Sequence, residues 1–169
     1  MIITKRIIVT DTNIITDLNT AKVLDKFINL DNVYISDLVK LHEINFKTGD
    51  LKLINNFKVI SSTSQELMKI SDIQNTNKKL SDKDILKYII ARDNKGILAT
   101  GDERLKKYAE ANGVEVIRTL KIIELLYINN LISYNDLSNG CKFLKNDFKT
   151  RIPSNEIDSL LNKYDLVKN

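Results

Sequence analysis

The sequence predicts an α/β fold, a three-layer α/β/α arrangement with a central, mostly parallel sheet and a C-terminal helical extension. Three observations support this prediction. Short, nearly continuous apolar runs recur along residues 7–117 and alternate with longer stretches of helical periodicity. Such uninterrupted apolar strands are typical of a sheet that helices cover on both faces. From about residue 119 onward, only the helical periodicity continues.

The predicted strands are rich in β-branched residues, which favour extended structure. They lie at Ile7–Thr10, Val33–Ile35, Val59–Ser61, Ile97–Thr100 and Val114–Ile117. The helical stretches lie around Ala21–Asn29, Asp37–Lys47, Gln65–Gln74, Asp82–Asp93 and Glu103–Asn112. Because strands and helices alternate, the strands are expected to pair in parallel through right-handed crossovers.

Capping residues support several of these boundaries. Ser36 is placed as the N-cap of the second helical stretch, and Asp37 lies favourably in its first turn. Gly49 is placed to end that helix, and Gly113 to end the helix before the last strand, each in a left-handed conformation.

The C-terminal extension consists of three amphipathic segments. The first is "TLKIIELLYINNLI" and the last is "SNEIDSLLNKY" behind Pro153. The middle segment is predicted to carry an apolar face formed by Leu137, Cys141, Leu144 and Phe148. Because the linkers are only a few residues long, we expect these helices to pack on the same core. The prediction is therefore a single domain, 1–169, with a core at about 1–118 and an extension at about 119–169.

Composition excludes several classes of protein. With 169 residues, 43% hydrophobic and 28% charged, the chain has the composition of a globular domain and not of a disordered one. The net charge of +4 is compatible with a polyanionic partner. A single cysteine excludes an internal disulfide and a cysteine-rich zinc site, and no apolar run approaches a membrane span. We therefore expect a cytoplasmic protein without membrane contact.

Acidic residues follow the ends of two predicted strands. Asp11 comes directly after the first strand, and Asp102 lies just past the fourth. The carboxyl ends of parallel strands meet at one edge of the sheet, where ligands bind in open α/β folds. Glu43, on the helix after the second strand, and Asp84, in the first turn of "SDKDILKYIIA", are two further candidates.

Clustered carboxylates repel one another, so they stay ionised together only when a positive charge lies between them. Mg²⁺ and Mn²⁺ prefer oxygen ligands and complete their coordination with water and substrate phosphate. The chemistry that follows is phosphodiester hydrolysis, in which the metal polarises the phosphoryl oxygen and activates water.

Four segments occur in the order and on the elements of a known family. These are "VTDTNII", "SDLVKLHEI", "LSDKDILKYIIA" and "LATGDERLKKYAEANGVEVI". Together they resemble the PIN domain, a metal-dependent ribonuclease fold found in VapC-type toxins of prokaryotic toxin-antitoxin pairs. The resemblance runs from about Ile7 to Ile117, and the helical tail is similar to that of a prokaryotic PIN subgroup of undefined role.

The resemblance implies a role for individual residues. Asp11, Glu43, Asp84 and Asp102 correspond to the catalytic acids, and Asp11, Asp84 and Asp102 to the ligands of Mg²⁺ or Mn²⁺. Asn13 and Thr100 correspond to supporting polar residues. Asp82 lies two positions before Asp84 and would exchange with it after a small shift in alignment, although the spacing to Ala91 favours Asp84.

The resemblance also implies RNA as substrate, with an antitoxin protein and a second copy of the chain as expected partners. Two other functions are alternatives to this endoribonuclease. A haloacid dehalogenase-type phosphatase is disfavoured because Asn13 stands where its second aspartate belongs. A non-catalytic PIN-like module that binds RNA or protein is the other.

Each acid also has a purely structural interpretation as a helix cap. Asp11 and Asp102 precede helical or turn sequences, and Ser81 with Asp84 has the spacing of a capping box. If the acids instead repel each other in one cluster, Asp11→Asn should leave the melting temperature unchanged or raise it.

Overall fold

A computed structural model describes residues 4–40 and 56–165. Its sheet has five strands: β1 (Ile8–Thr10), β2 (Val33–Ser36), β3 (Lys58–Ile60), β4 (Ile97–Ala99) and β5 (Glu115–Ile117). The strand order is β3-β2-β1-β4-β5, and every neighbouring pair is parallel. Ile8 lies opposite Val33 on one side and Ile97 on the other. The predicted parallel sheet is therefore confirmed.

The helices of the described residues connect these strands and follow the last of them. They are α1 (Thr12–Thr20), α2 (Leu24–Ile28), α3 (Asp37–Val39), α4 (Ser64–Thr76), α5 (Asp82–Asp93), α6 (Glu103–Ala111), α7 (Thr119–Ile128), α8 (Tyr134–Asn146) and α9 (Ser154–Asp165). The helix predicted at 37–47 is described only as far as Lys40, so Gly49 lies outside the described residues. No helix of the described ranges is both long and apolar enough to cross a membrane.

Two hydrophobic clusters cover the two faces of the sheet. Side chains alternate along a strand, so Ile8 and Ile97 point to one face, and Val9 and Leu98 to the other. The first cluster includes side chains from α1, α2, α3, α7, α8 and α9. The second includes side chains from α4, α5 and α6. This arrangement confirms the three-layer α/β/α prediction.

The helix directly after β1 was not predicted. The expected helix at Ala21–Asn29 is shorter in the structure, where α2 begins at Leu24, and α1 precedes it. The segment "TNIITDLNT" is dominated by Thr, Asn, Asp and Ile, which have low helix propensity. The helix forms because it buries Ile14, Ile15 and Leu18 and is capped by Asp11, so tertiary packing outweighs local preference.

The C-terminal helices pack on the α1 side of the sheet. Leu137, Cys141 and Leu144 are buried there, as predicted, and burial raises the pKa of the Cys141 thiol to about 11. Phe148 is a correction, because its side chain is 91% exposed. Helix α8 ends at Asn146 and the next residue is extended, so the helical spacing that placed Phe148 on the apolar face no longer applies.

The predicted caps at two other positions are confirmed. The Ser36 hydroxyl accepts a hydrogen bond from the Val39 amide at the start of α3. Gly113 has φ +77°, the left-handed conformation expected of a residue that ends α6 and leads into β5.

Glu124 on α7 joins this helix to α9. Its buried carboxylate accepts hydrogen bonds from Lys121 (2.7 Å), from the Tyr164 hydroxyl (2.9 Å) and from Lys163. Burial by itself raises the pKa of a carboxyl, but these three donors lower the pKa of Glu124 to about 2. The carboxylate therefore stabilises the packing of the C-terminal extension.

Replacement of this acid should weaken the fold in a pH-dependent way. We expect Glu124→Gln to lower the free energy of unfolding at pH 7 by about 1 kcal/mol, since the two lysines are partly exposed and screened. The pKa of Glu124 is lower in the folded state than the ordinary 4.5, so its contribution is present above that pH. The difference should disappear as the pH falls towards 2, measured by urea denaturation.

A matched control is Glu110→Gln, at an exposed position on α6. This variant should stay within about 0.5 kcal/mol of the wild type. Equal destabilisation of Glu124→Gln at pH 7 and near pH 2 would contradict the ionic role of Glu124.

Candidate active site

The candidate site lies at the carboxyl ends of β1 and β4. The chain proceeds from β1 through β2 to β3 on one side of the sheet and returns to β4 on the other. The gap between β1 and β4 is therefore the topological switch point, where ligands bind in open parallel sheets. Asp11 leaves the sheet on one side of this gap, and its amide donates a hydrogen bond of 3.0 Å to the Ala99 carbonyl of β4.

Asp11 is held in one orientation by contacts with both of its carboxylate oxygens. The side chain is almost fully buried, with 4% of the residue exposed. Its Oδ1 accepts hydrogen bonds from the Thr12 amide (2.7 Å) and from Lys87 Nζ (2.6 Å). Its Oδ2 accepts one from the Thr100 hydroxyl (2.9 Å). Asp11 is therefore both the N-cap of α1 and one member of a buried ion pair.

Lys87 connects this carboxylate to a second acid. The same Nζ lies 3.1 Å from Oδ1 of Asp84, one turn earlier on α5. Lys87 is buried, with 1% exposed, and its neighbours along the helix belong to the hydrophobic core. The structure thus brings Asp11 and Asp84 together around the ammonium group of Lys87.

Asp84 is also fixed by the start of its own helix. It forms a capping box with Ser81, in which the Ser81 hydroxyl and amide both contact Asp84 Oδ2. Partial burial raises the pKa of the Asp84 carboxyl, but Lys87 and Ser81 outweigh this effect and lower the pKa below its usual value. Asp82 is exposed, so of the two alternatives for the third acid it is Asp84 whose carboxylate faces Lys87 and Asp11.

Asp102 lies at the other side of the gap and caps α6. Its Oδ1 accepts hydrogen bonds from the amides of Arg104 (2.8 Å) and Leu105 (2.9 Å). Its own amide donates to the Thr100 hydroxyl (3.1 Å), and that hydroxyl donates to Asp11. Thr100 therefore links the two strand-end acids through one hydroxyl group.

Three acids of the predicted set thus lie at the first turns of three helices. The positive end of a helix dipole stabilises a carboxylate in that position. The capping interpretation is confirmed for Asp11, Asp84 and Asp102. Capping does not exclude a further role, since the caps of Asp102 use only one of its oxygens among the contacts described.

Carboxylate oxygens suit a hard divalent cation by chemistry. Within residues 4–40 and 56–165, however, no three Asp, Glu, His or Cys side chains lie close enough to hold one ion. Glu43 lies outside the described residues, so the four-carboxylate cluster stays a prediction. The donors fit such an ion in type, whereas the position between Asp11 and Asp84 already holds a cation of the chain itself.

A cavity with basic walls lies beside the starts of α5 and α6. It has a volume of about 680 Å³ and no acidic residue among those that line it. Its cations are Lys78, Lys79, Arg104 and Lys107, and Tyr108 contributes an aromatic side chain. Lys107 lies 4.0 Å from Glu103, and the other three form no ion pair within the described part of the chain. This cavity suits a polyanion.

Asn13, the predicted supporting residue, lies away from these contacts. Its side chain is exposed and lines a second cavity, of about 220 Å³, together with Gly101. The charged residues of this cavity are Asp17, Arg118, Lys149, Arg151 and Glu156. The C-terminal extension therefore supplies charges to the surface next to the candidate site.

Lys87 was not predicted as a residue of this site. A signal for it exists, because this lysine interrupts the apolar run of "ILKYIIA" in a helix that is buried on most sides. Lysine is almost never fully buried unless an acid pairs with it. A charged residue at such a position indicates an internal acidic partner, which here comes from a residue 76 positions away.

Comparison with known families gives one match. A sequence model of the PIN-domain family matches residues 7–165, which is most of the chain. Searches of curated proteins and of solved structures gave no significant match. The matched range includes the C-terminal helices as well as the strand-end acids.

The buried ion pair reverses the expectation for Asp11→Asn. The substitution removes the carboxylate that lies 2.6 Å from the buried ammonium group of Lys87. Loss of one member of a buried ion pair lowers the free energy of unfolding by about 3 kcal/mol. We therefore predict that Asp11→Asn lowers the melting temperature, measured by differential scanning calorimetry in EDTA. Asp31→Asn, which alters a fully exposed acid, is the control and should change the melting temperature little. An unchanged or higher melting temperature for Asp11→Asn would show that repulsion among acids outweighs the pair with Lys87.

Proposed function

The chain belongs to the PIN-domain family, and from this premise we propose that it is a Mg²⁺- or Mn²⁺-dependent endoribonuclease that hydrolyses RNA phosphodiester bonds. PIN domains are generally nucleases, so the coarse class is a hydrolase of nucleic acid. The observation that carries the proposal is the convergence of Asp11 and Asp84 around Lys87 beside the β1/β4 switch point, with the backbone amide of Asp102 linked to Asp11 through the Thr100 hydroxyl.

In this proposal Asp11, Asp84 and Asp102 would hold the divalent ion, and Glu43 is the fourth acid. Because the three described carboxylates do not lie close enough to share an ion as they stand, binding would require their side chains to move closer together. When bound, such an ion supplies polarisation of the phosphoryl oxygen and neutralises charge on the leaving oxygen. The remaining residues position the acids. Thr100 orients Asp11 through a 2.9 Å hydrogen bond, and Ser81 orients Asp84 through the capping box. Asn13 is proposed as a supporting residue that would act from the neighbouring cavity, which its exposed side chain lines.

The basic cavity beside α6 supports an RNA substrate. Lys78, Lys79 and Arg104 are cations without a described acidic partner, and nucleic-acid binding depends on neutralising backbone phosphates. An aromatic ring such as that of Tyr108 offers a surface on which an unpaired base can stack. Among the residues that line this cavity, Leu80 precedes the N-cap of α5 and Arg104 lies in the first turn of α6, the two helices whose starts hold Asp84 and Asp102.

We extend the proposal to a role as the toxin of a toxin-antitoxin pair. Its support is the resemblance of the chain to VapC-type proteins. The corresponding partners are an antitoxin protein that blocks the site and a second copy of the chain in a homodimer.

One observation favours a second candidate, a non-catalytic module that binds RNA. The ammonium group of Lys87 already occupies the position between Asp11 and Asp84. If no metal ion binds there, the basic cavity beside α6 is still available to hold RNA. The two candidates predict different fates of the RNA, since the module binds it and leaves it intact.

The nuclease proposal is tested with a pair of neighbouring acids. We expect Asp84→Asn to reduce cleavage of a labelled single-stranded RNA in Mn²⁺ about a hundredfold or more, because a metal ligand contributes several kcal/mol to the transition state. Asp82→Asn, which changes an exposed acid on the same turn, should retain wild-type cleavage. EDTA should stop the reaction.

Gel analysis of the product with time gives the rates, and filter binding reports whether the RNA is held. RNA that is bound but uncut in Mn²⁺ supports the binding module. Equal loss of activity in both variants would show that neither acid acts specifically.

A further inference from the structure

Lys87 is unusual among the charged residues because it is buried within a helix that packs on the sheet. The neighbouring residues Leu86 and Tyr88 belong to the hydrophobic cluster formed with α4 and α6. Lys87 itself is 1% exposed, and its Nζ contacts the carboxylates of Asp11 and Asp84. A buried ammonium is costly unless it is paired, so its contacts explain its position.

Those contacts lie where two acids converge. Lys87 Nζ is 2.6 Å from Asp11 Oδ1 and 3.1 Å from Asp84 Oδ1. The carboxylates come from different parts of the chain, one at the end of β1 and one in the first turn of α5. A cation that bridges two carboxylates at this distance occupies the space that a divalent ion would need for coordination by the same oxygens.

We propose that Lys87 is a built-in cation that occupies the position between Asp11 and Asp84 and competes with a divalent metal ion for it. The proposal rests on the proposed function only for the identity of the competing ion. With Lys87 in place, one of the two negative charges is already neutralised, and an approaching ion meets an ammonium group of like charge. Metal binding at these two acids therefore requires the ammonium to leave.

The same contact accounts for the stability of the metal-free protein. Without an ion, Asp11 and Asp84 would repel each other in a region with little water. Lys87 replaces that repulsion by two attractive contacts. Removal of the ammonium should therefore weaken the metal-free fold and strengthen metal binding, two effects of opposite sign from one substitution.

Calorimetric titration with Mn²⁺ tests this competition in the full chain. Lys87→Gln and Lys87→Met both remove the charge, and Gln keeps a donor that can contact Asp11. We expect each to lower the dissociation constant for Mn²⁺ by about tenfold or more. Lys142→Gln removes the same charge from an exposed position on α8 without a described contact to either acid, and it should stay within about twofold of the wild type.

Thermal melts provide a second measurement. In EDTA, Lys87→Gln should melt below the wild type, and saturating Mn²⁺ should raise its melting temperature by more than it raises that of the wild type. If Lys87→Met does not fold without metal, Lys87→Gln still decides the question. Dissociation constants that are unchanged or larger in the Lys87 variants would overturn the proposal, as would the absence of Mn²⁺ binding in all of these proteins.

RNA cleavage, measured separately, distinguishes the two proposals. Wild-type cleavage that needs Mn²⁺, together with unchanged affinity in the Lys87 variants, overturns the competition and leaves the nuclease intact. If the Lys87 variants bind Mn²⁺ more tightly but neither they nor the wild type cleave RNA, the nuclease proposal is overturned and the proposed competition stands.

Discussion

The site depends on one requirement, which is that the buried carboxylate of Asp11 finds hydrogen-bond and charge partners within the protein. A buried charge is tolerated only when it is paired and hydrogen-bonded. Asp11 meets this condition with the first turn of α1, the hydroxyl of Thr100 after β4 and the ammonium of Lys87 on α5. These partners come from three separate elements. The charge therefore holds together the parts of the fold that meet at the switch point.

The topology explains why these elements meet there. Strand β1 lies between β2 and β4 in the sheet. Its alternating side chains pack against two different helical layers, and its carboxyl end opens between those layers. Helix α1 continues into the layer that also contains the C-terminal helices, whereas α5 belongs to the opposite layer. The contact from Lys87 to Asp11 thus connects α5, in one helical layer, to the start of α1, in the other. The C-terminal extension affects the same region indirectly, since Lys149 and Arg151 line the cavity that contains Asn13.

Local pattern predicted the sheet well and the site only in part. The strands are short apolar runs such as Ile97–Ala99, whose burial on both faces leaves a clear signal. Helix α1 was missed because its residues favour turns, and its stability comes from packing of Ile14 and Leu18. Phe148 was placed on a helix that ends two residues earlier. Lys87 was missed because its meaning depends on a partner distant in sequence, which periodicity does not show.

The physical argument for a metal ion required only a positive charge among converging carboxylates, and the structure supplies such a charge from the chain itself. Acids at the expected positions are therefore an incomplete description of a site of this kind, because the cation that balances them decides what else can bind. The exposure of the acids indicates how an external cation would approach. Asp11 and Lys87 are both buried, whereas 24% of the Asp84 side chain is exposed and Asp102 is partly exposed. An incoming ion or phosphate thus meets Asp84 and Asp102 before Asp11, and under the competition proposed above it would bind between Asp11 and Asp84 only by displacing Lys87.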